Sequence, residues 1–342
     1  METQAHIDGP DQGPAELDVA SPTPRFSAQL MHAAATLYYL QDATQAEVAK
    51  QLGTSRATVS RLLAEARRQG IVRIEVRDPL DPAHEEDLGS RTAEALGLAV
   101  VHIAPLAHQA LLGPSLAPQL SRALRGVGLV SGDVLLVSSG RTVWEASREA
   151  LPELPGIVVT PTVGGQDEPE AWYQTNEITR MVAEKVGGRP VFLYAPAQPG
   201  PDLYERLVDD PSTQRVLRLW EGAKCAVLGV GAPPTTRQSM PGWMEDLKPL
   251  FTEAAGDICT RFFDYSGQPL PFPGSERLIA TSYELLRSIP VTIAVAVGRE
   301  KIPSLLAGAR AGWFNTLVTD APTASALLAR AETDHPEPME SR

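Results

Sequence analysis

The sequence predicts an α/β protein in two parts, a small all-α head followed by a larger, doubly wound, mostly parallel sheet. Three observations carry this. Two capped helical segments flank a Gly turn between Thr44 and Gly70. After Pro82, short Val/Ile-rich runs alternate with helical stretches. The chain has 342 residues, enough for two or three domains at ~100–200 residues each.

Taken in order, residues 1–24 hold five acids, no Lys or Arg, and several Pro and Gly, so this segment reads as disordered. Residues 25–78 form the head. Leu30, Ala34, Leu37 and Tyr38 recur at helical spacing between Phe26 and Leu40. Thr44-Gln45-Ala46-Glu47 fits a capping box opening a short helix to Leu52, and Gly53 ends it. Ser55 caps a third helix that runs to Gln69. Ile71 to Arg77 alternates apolar and polar residues as a half-buried strand does. Residues 79–331 form the α/β body. Its expected strands are Ala99–Ile103, Val134–Val137, Ile157–Thr160, Val191–Tyr194, Cys225–Gly229, Val291–Val297 and Thr316–Thr319. The tail, 332–342, reads as disordered.

Composition narrows the function. Hydrophobic residues make up 43% and charged residues 21%, an ordinary globular balance. The net charge of -12 argues against a chain that coats nucleic acid or membrane along its length. No apolar run is long enough to span a membrane, and the N-terminus does not read as a secretory signal, so a cytoplasmic protein with no membrane partner is expected. Cys225 and Cys259 read as reduced, buried thiols. The six His show no metal-ligand spacing, and no Gly-x-Ser-x-Gly elbow, Walker loop or dinucleotide fingerprint occurs, so neither metal nor cofactor is expected.

Against the acidic total, Thr44 to Arg77 carries seven basic residues and three acidic ones. With Val48, Ala49 and Leu52 packed on Val59, Leu62 and Leu63, the start of the second helix would expose Ser55, Arg56, Thr58, Ser60 and Arg61. Short hydroxyls and Arg suit a major groove, and a basic island on an acidic chain is the footprint of a phosphate-binding surface. The plain alternative is a helical bundle with solvated Arg. Operator DNA is the expected partner.

Four places in the body could hold a ligand. Ser138-Ser139-Gly140-Arg141-Thr142 follows the strand ending at Val137 and opens a helix, where free N–H groups favour anions. Arg141 opposes the helix dipole there, and an anionic ligand would explain it. Gly298-Arg299-Glu300-Lys301 follows another strand in a chain with 25 Arg and only 5 Lys, and Lys301 could hold a phosphate. In Gly164-Gly165-Gln166 the paired glycines allow close backbone approach and Gln166 offers a donor and an acceptor. Asp257, within Gly256 to Asp264, could accept sugar hydroxyls, or simply pair with Arg261. Asp320 reads as a helix cap, and Phe262-Phe263 as core.

These stretches together resemble the SorC/DeoR-type sugar-binding transcriptional regulators, the group that includes the central glycolytic gene repressor. The likeness runs from about Phe26 to Ala329. It is carried by Gln45-Ala46-Glu47-Val48-Ala49, Ser55 to Leu63, Ser139-Gly140-Arg141-Thr142, Gly256-Asp257-Ile258-Cys259, Gly298-Arg299-Glu300-Lys301 and Thr319 to Ala324, in that order. The resemblance implies a helix-turn-helix joined to an effector domain with the sugar-phosphate isomerase and glucosamine-phosphate deaminase fold. It implies a homotetramer or dimer whose operator binding answers to a sugar or sugar phosphate. By motif, Ser139, Gly140, Arg141, Thr142 and Lys301 would hold the phosphate, and Gln166 and Asp257 would face the sugar, with Gly165 also in the effector site. The family usually has Gly-Trp-Gly where this chain has Ser138-Ser139-Gly140. An isomerase or deaminase with an interaction arm is the alternative; no His falls in the candidate loops to serve it as a base.

Overall fold

The computed structural model describes residues 26–41, 43–72, 82–105, 111–237, 242 and 247–334. The expectation for residues 1–24 lies outside them. The chain divides into two units, residues 1–77 and 78–342.

In the first unit, α1 (Ala28–Ala35) starts on Ser27, whose hydroxyl accepts from the Leu30 N–H. It does not stay regular to Leu40 as its periodicity suggests, but widens into a π turn at Thr36–Leu40. The capping box before α2 (Gln45–Gln51) forms as read, with Glu47 N–H donating to Thr44 Oγ1 at 3.3 Å and Thr44 N–H to Glu47 Oε2 at 2.8 Å. Those hydrogen bonds, first from the Thr44 backbone and then from its side chain, hold the Glu47 carboxyl below its ordinary pKa. Helix α3 (Arg56–Arg68) is capped by Ser55. Met31, Ala34, Val48, Val59, Leu62, Leu63 and Ala66 form one buried cluster, with Leu52 against its side. Ile71 and Val72 form a bend; the rest of the strand expected there lies outside the described residues.

The second unit holds α4 (Pro82–Leu96), β1 (Val100–Ala104), α5 (Leu112–Val127), β2 (Val134–Val137), α6 (Arg141–Ser147), β3 (Val158–Pro161), α7 (Thr175–Val186) and β4 (Arg189–Pro190). It continues with α8 (Pro201–Asp209), α9 (Pro211–Glu221), β5 (Ala223–Gly229), β6 (Ala254–Ile258), β7 (Arg261–Asp264) and β8 (Pro269–Leu270). The last elements are α10 (Tyr283–Ser288), β9 (Val291–Val295), α11 (Ile302–Arg310), β10 (Thr316–Asp320) and α12 (Ala321–Asp334). Seven strands form one parallel sheet in the order β1-β10-β9-β5-β2-β3-β4. Alternate residues of β2 enter different cores, Leu135 and Val137 on one face and Val134 and Leu136 on the other. A strand buried on both sides needs the unbroken apolar run seen in the sequence.

The order reverses between β2 and β5. From β2 the chain builds outward through β3 and β4, and from β5 it builds the other way through β9 and β10. Such a switch opens a crevice at the carboxyl ends of the strands, where open α/β sheets bind ligands.

Three expectations need correcting. The run Val191–Tyr194 is not a sheet strand: the pairing with β3 covers only Arg189 and Pro190. Beyond it the Asn176 amide takes over a neighbour's role, accepting from Leu193 N–H and donating to Leu193 O, both at 3.1 Å. The stretch Gly256–Asp264 is not a loop but most of an antiparallel three-strand sheet, β6-β7-β8. Its two-residue turn, Cys259-Thr260, has φ of 52° and 65° with none of the Asn-Gly chemistry that marks such turns. Finally, α12 runs through Asp334, past the expected start of the tail.

Candidate functional site

In the head, Arg56, Ser60 and Arg61 are exposed on α3. Ser55 and Thr58 serve the helix itself. Ser55 Oγ accepts from Thr58 N–H at 3.1 Å, and the two hydroxyls lie 2.9 Å apart. Arg56 also lines a concavity of about 770 Å³ with Tyr38, Tyr39, Thr44 and Gln45. The two tyrosines meet edge to face at 4.9 Å. They stand in the π turn, where the helical spacing that picked out Tyr38 no longer holds.

In the body, the loop after β2 meets the end of β5 at the switch point. Ser138 Oγ accepts from Gly229 N–H at 2.6 Å. Gly140 has φ 129° and ψ 146°, and Gly298, after β9, has φ 112° and ψ 142°. This backbone region is essentially open to Gly alone, so β2 and β9 end in the same turn. Gln166 Nε2 donates to Ser139 Oγ at 3.1 Å, which brings these two expected site residues together. Thr142 does not face the loop's opening. It is buried and donates to Val295 O at 2.6 Å, fastening α6 to β9. Of the paired glycines, Gly164 makes the close backbone approach, where a Cβ would fall 2.5 Å from Ala195 O; at Gly165 that oxygen is 3.9 Å away.

Asp257 stands on β6, half-buried and ion-paired with Arg237. Arg261, its expected partner, instead donates to Thr281 O at 2.8 Å and Ala280 O at 3.1 Å. Arg237 Nε donates to Ala232 O at 2.6 Å, and its guanidinium lies 6.0 Å from the Phe262 ring centre. A Cβ at Gly231 would run into the Asp257 carboxylate and the Arg237 guanidinium, so the bare glycine makes room for the pair. Lys301 is half-buried in the turn after β9. Burial pushes its pKa down to about 8; Glu300 and Asp257 pull it up, Arg237 and Arg141 push it further down. The expected residues Arg141 and Asp257 thus both act on Lys301, from segments that are far apart in sequence.

Arg237, Trp172 and Tyr173 escaped the sequence reading. Arg237 follows Pro233-Pro234-Thr235-Thr236, a stretch with no period to read. The 3₁₀ turn Ala171–Tyr173 borders the site, with Gly140 N–H donating to Trp172 O at 2.9 Å. Asp320 caps α12, accepting from Thr323 N–H at 3.0 Å, and Phe262 and Phe263 are core. Both cysteines are buried and free, and burial pushes the Cys225 thiol up to about 12. Among the described residues no group of His, Cys, Asp and Glu could hold a metal ion, and no helix is long and apolar enough to cross a membrane.

Comparison with known proteins places this geometry. Residues 81–329 match the Sugar-bind family model, described as "Putative sugar-binding domain", and residues 28–80 match a Crp-like helix-turn-helix domain. The chain is 30% identical over 314 residues to the deoxyribonucleoside regulator of Bacillus subtilis (strain 168), covering 89% of this chain and 98% of that one. It is 29% identical over 309 residues to the sorbitol operon regulator of Klebsiella pneumoniae, covering 86% and 96%. The crystal structure of that full-length regulator, SorC, superposes with a TM-score of 0.65 at 28% identity, covering 88% of this chain and 98% of that one. Both relatives are regulators, and neither lends support to the isomerase or deaminase alternative. With a helix-turn-helix joined to a switch-point site, and relatives matched over nearly their whole length, the chain belongs to the Sugar-bind family of helix-turn-helix transcriptional regulators.

Proposed function

We propose that this regulator binds operator DNA through Arg56, Ser60 and Arg61 of α3, and that a sugar phosphate held in the body controls that binding. It acts in the cytoplasm as a homo-oligomer, without turning the ligand over. The carrying observation is that Arg141, Arg237 and Lys301 follow the neighbouring strands β2, β5 and β9 at the switch point, with Arg237 paired to Asp257. Arg237 is committed to Asp257 and Glu300 lies beside Lys301, and a phosphate dianion would complete the site by matching Arg141 and Lys301. Ser139 offers its hydroxyl beside Arg141, and Gly140, its N–H already given to Trp172 O, supplies the turn that presents them. Asp257, already bound to Arg237, keeps acceptor capacity for sugar hydroxyls. Thr142 contributes by holding α6 in place.

Control requires that the ligand favour one arrangement of the oligomer over another. A pair of heads then reads half-sites whose spacing mirrors the protein's symmetry. The names of the relatives, one for deoxyribonucleosides and one for a sorbitol operon, support a ligand from sugar or polyol metabolism.

Thermal denaturation with sugar phosphates and inorganic phosphate tests the site. A native-state ligand stabilises by about 2.7 kcal/mol at a hundredfold excess over Kd. Lys301→Met should remove most of the shift caused by phosphorylated ligands and leave the unliganded protein folded. An unchanged shift in the variant would move the anion elsewhere.

A further inference from the structure

The 3₁₀ turn Ala171–Tyr173 sits between β3 and α7, and its two aromatic residues reach both ends of the site. At the anion end, Trp172 is bound to the loop through its carbonyl, 2.9 Å from Gly140 N. The Arg141 guanidinium lies 5.7 Å from the centre of its indole ring. Trp144 of α6 supports that ring edge to face at 6.3 Å and 71°. At the other end, half-buried Tyr173 feels the charges of Arg237 and Asp257. Its ring centre is 6.3 Å from that of Trp172. Gln174 Nε2, donating to Glu168 O at 2.5 Å, anchors the far side of the turn.

Cations alone select a phosphate and say nothing about what it is attached to. A cyclic sugar presents a patch of C–H groups on one face and hydroxyls around its rim. An aromatic face is electron-rich and apolar, so it suits the C–H patch, while a phenol hydroxyl suits the rim. Burial raises the Tyr173 pKa above that of an ordinary phenol, so the group stays a hydrogen-bond donor throughout the neutral range. An acyclic polyol phosphate has no such flat face to offer.

We propose that Trp172 and Tyr173 form the wall that reads the sugar. Trp172 takes the C–H face of a closed-ring sugar phosphate beside the anion, and Tyr173 donates to a ring hydroxyl near Asp257. This rests on the reading of the body as an anion-binding effector site.

Calorimetric titration of the full-length protein separates the two readings. The probes are inorganic phosphate, sorbitol 6-phosphate, and a panel of pentose, deoxypentose and hexose phosphates. In the wild type at least one closed-ring phosphate should bind more tightly than sorbitol 6-phosphate and inorganic phosphate. Trp172→Leu should cut that preference roughly tenfold, the scale of an aromatic contact; any loss through the ring's contact with Arg141 falls on inorganic phosphate and the polyol phosphate alike and so drops out of the preference. Trp172→Phe should restore most of it, which shows that a flat ring and not a folding defect is at issue. Tyr173→Phe should cost the sugar phosphates roughly fivefold, one hydrogen bond's worth, and inorganic phosphate nothing. The wall is overturned if Trp172→Leu keeps the full preference or if the wild type shows none. No binding of any probe, inorganic phosphate included, would instead bring down the anion-site reading.

Discussion

In the head, Arg56 and Arg61 stand exposed on one helix, α3. In the body, Arg141, Arg237 and Lys301 come from turns after three different strands and meet only because the sheet order reverses between β2 and β5. The head's cations keep their water and await a partner that brings its own phosphates. The body's cations lie among backbone, a carboxylate and aromatic rings, and one of them has lost much of its basicity to burial. Surface charge gives a large, salt-sensitive affinity for a polyanion, whereas partly desolvated charge gives selectivity for a small ligand of matched size.

The largest effect that separates the two regions is on DNA. Replacing Arg56 and Arg61 together with Ala should weaken operator binding by roughly two to three orders of magnitude, if each loses a base or phosphate contact worth about 1–3 kcal/mol. The melting temperature should hold, because neither side chain belongs to the cluster of Met31, Val48, Val59 and Leu62. Ligand-induced stabilisation of the body should also hold. A gel-shift titration across salt concentrations checks this, and a double variant with wild-type affinity and salt slope would take α3 out of the interface.

The same contrast explains what the sequence made legible. Capping box, Gly turn and amphipathic α3 are local, so the head was readable down to Ser55 and Glu47. The strands of the sheet were readable because burial on both faces demands runs such as Val134–Val137. The site was half readable. Strand-to-helix turns announce Gly140 and Lys301, but Arg237 reaches Asp257 from an aperiodic stretch, and nothing local says so. The turn at Cys259-Thr260 was invisible because its residues are wrong for the backbone they adopt; the pairing of β6 with β7 and the burial of both side chains hold them there. The Thr142 role was misread for a related reason: its acceptor, Val295 O, lies on a strand distant in sequence.

A middle-sized effect follows from the buried cation. The Lys301 ammonium titrates at about 8 in the folded protein, against 10.5 for an ordinary lysine. Below about pH 8 it is charged and can hold an anion. Above it, affinity for a phosphorylated ligand should fall up to tenfold per pH unit as the proton is lost. The unliganded protein should respond in the opposite sense. Between about 8 and 10.5 the unfolded chain binds more protons than the folded one, so this lysine's contribution to stability rises with pH. Titrations from pH 6.5 to 9.5 should therefore show affinity falling through 8 in the wild type and a flat profile in Lys301→Met. The head, with Arg56 and Arg61, should show no matching step in DNA affinity.

The smallest effect concerns the turn that carries Asp257 into place. Cys259 and Thr260 both occupy the left-handed region, with φ of 52° and 65°. That conformation costs a non-Gly residue roughly 1–2 kcal/mol. Thr260 is β-branched and so among the least suited to it. Thr260→Gly should stabilise the protein by about 0.5–1 kcal/mol, the relief being partly offset by the greater freedom of Gly in the unfolded chain. The hairpin pairs Ile258 with Arg261 directly across this turn, one residue from Asp257. If the strain only tightens the turn, stability rises and ligand affinity is untouched. If it also sets the pitch of β6, then Asp257 shifts against Arg237 and affinity falls as stability rises. Chemical denaturation and calorimetry on one preparation tell these apart, and a loss of stability would mean that Thr260 makes contacts worth more than its backbone costs.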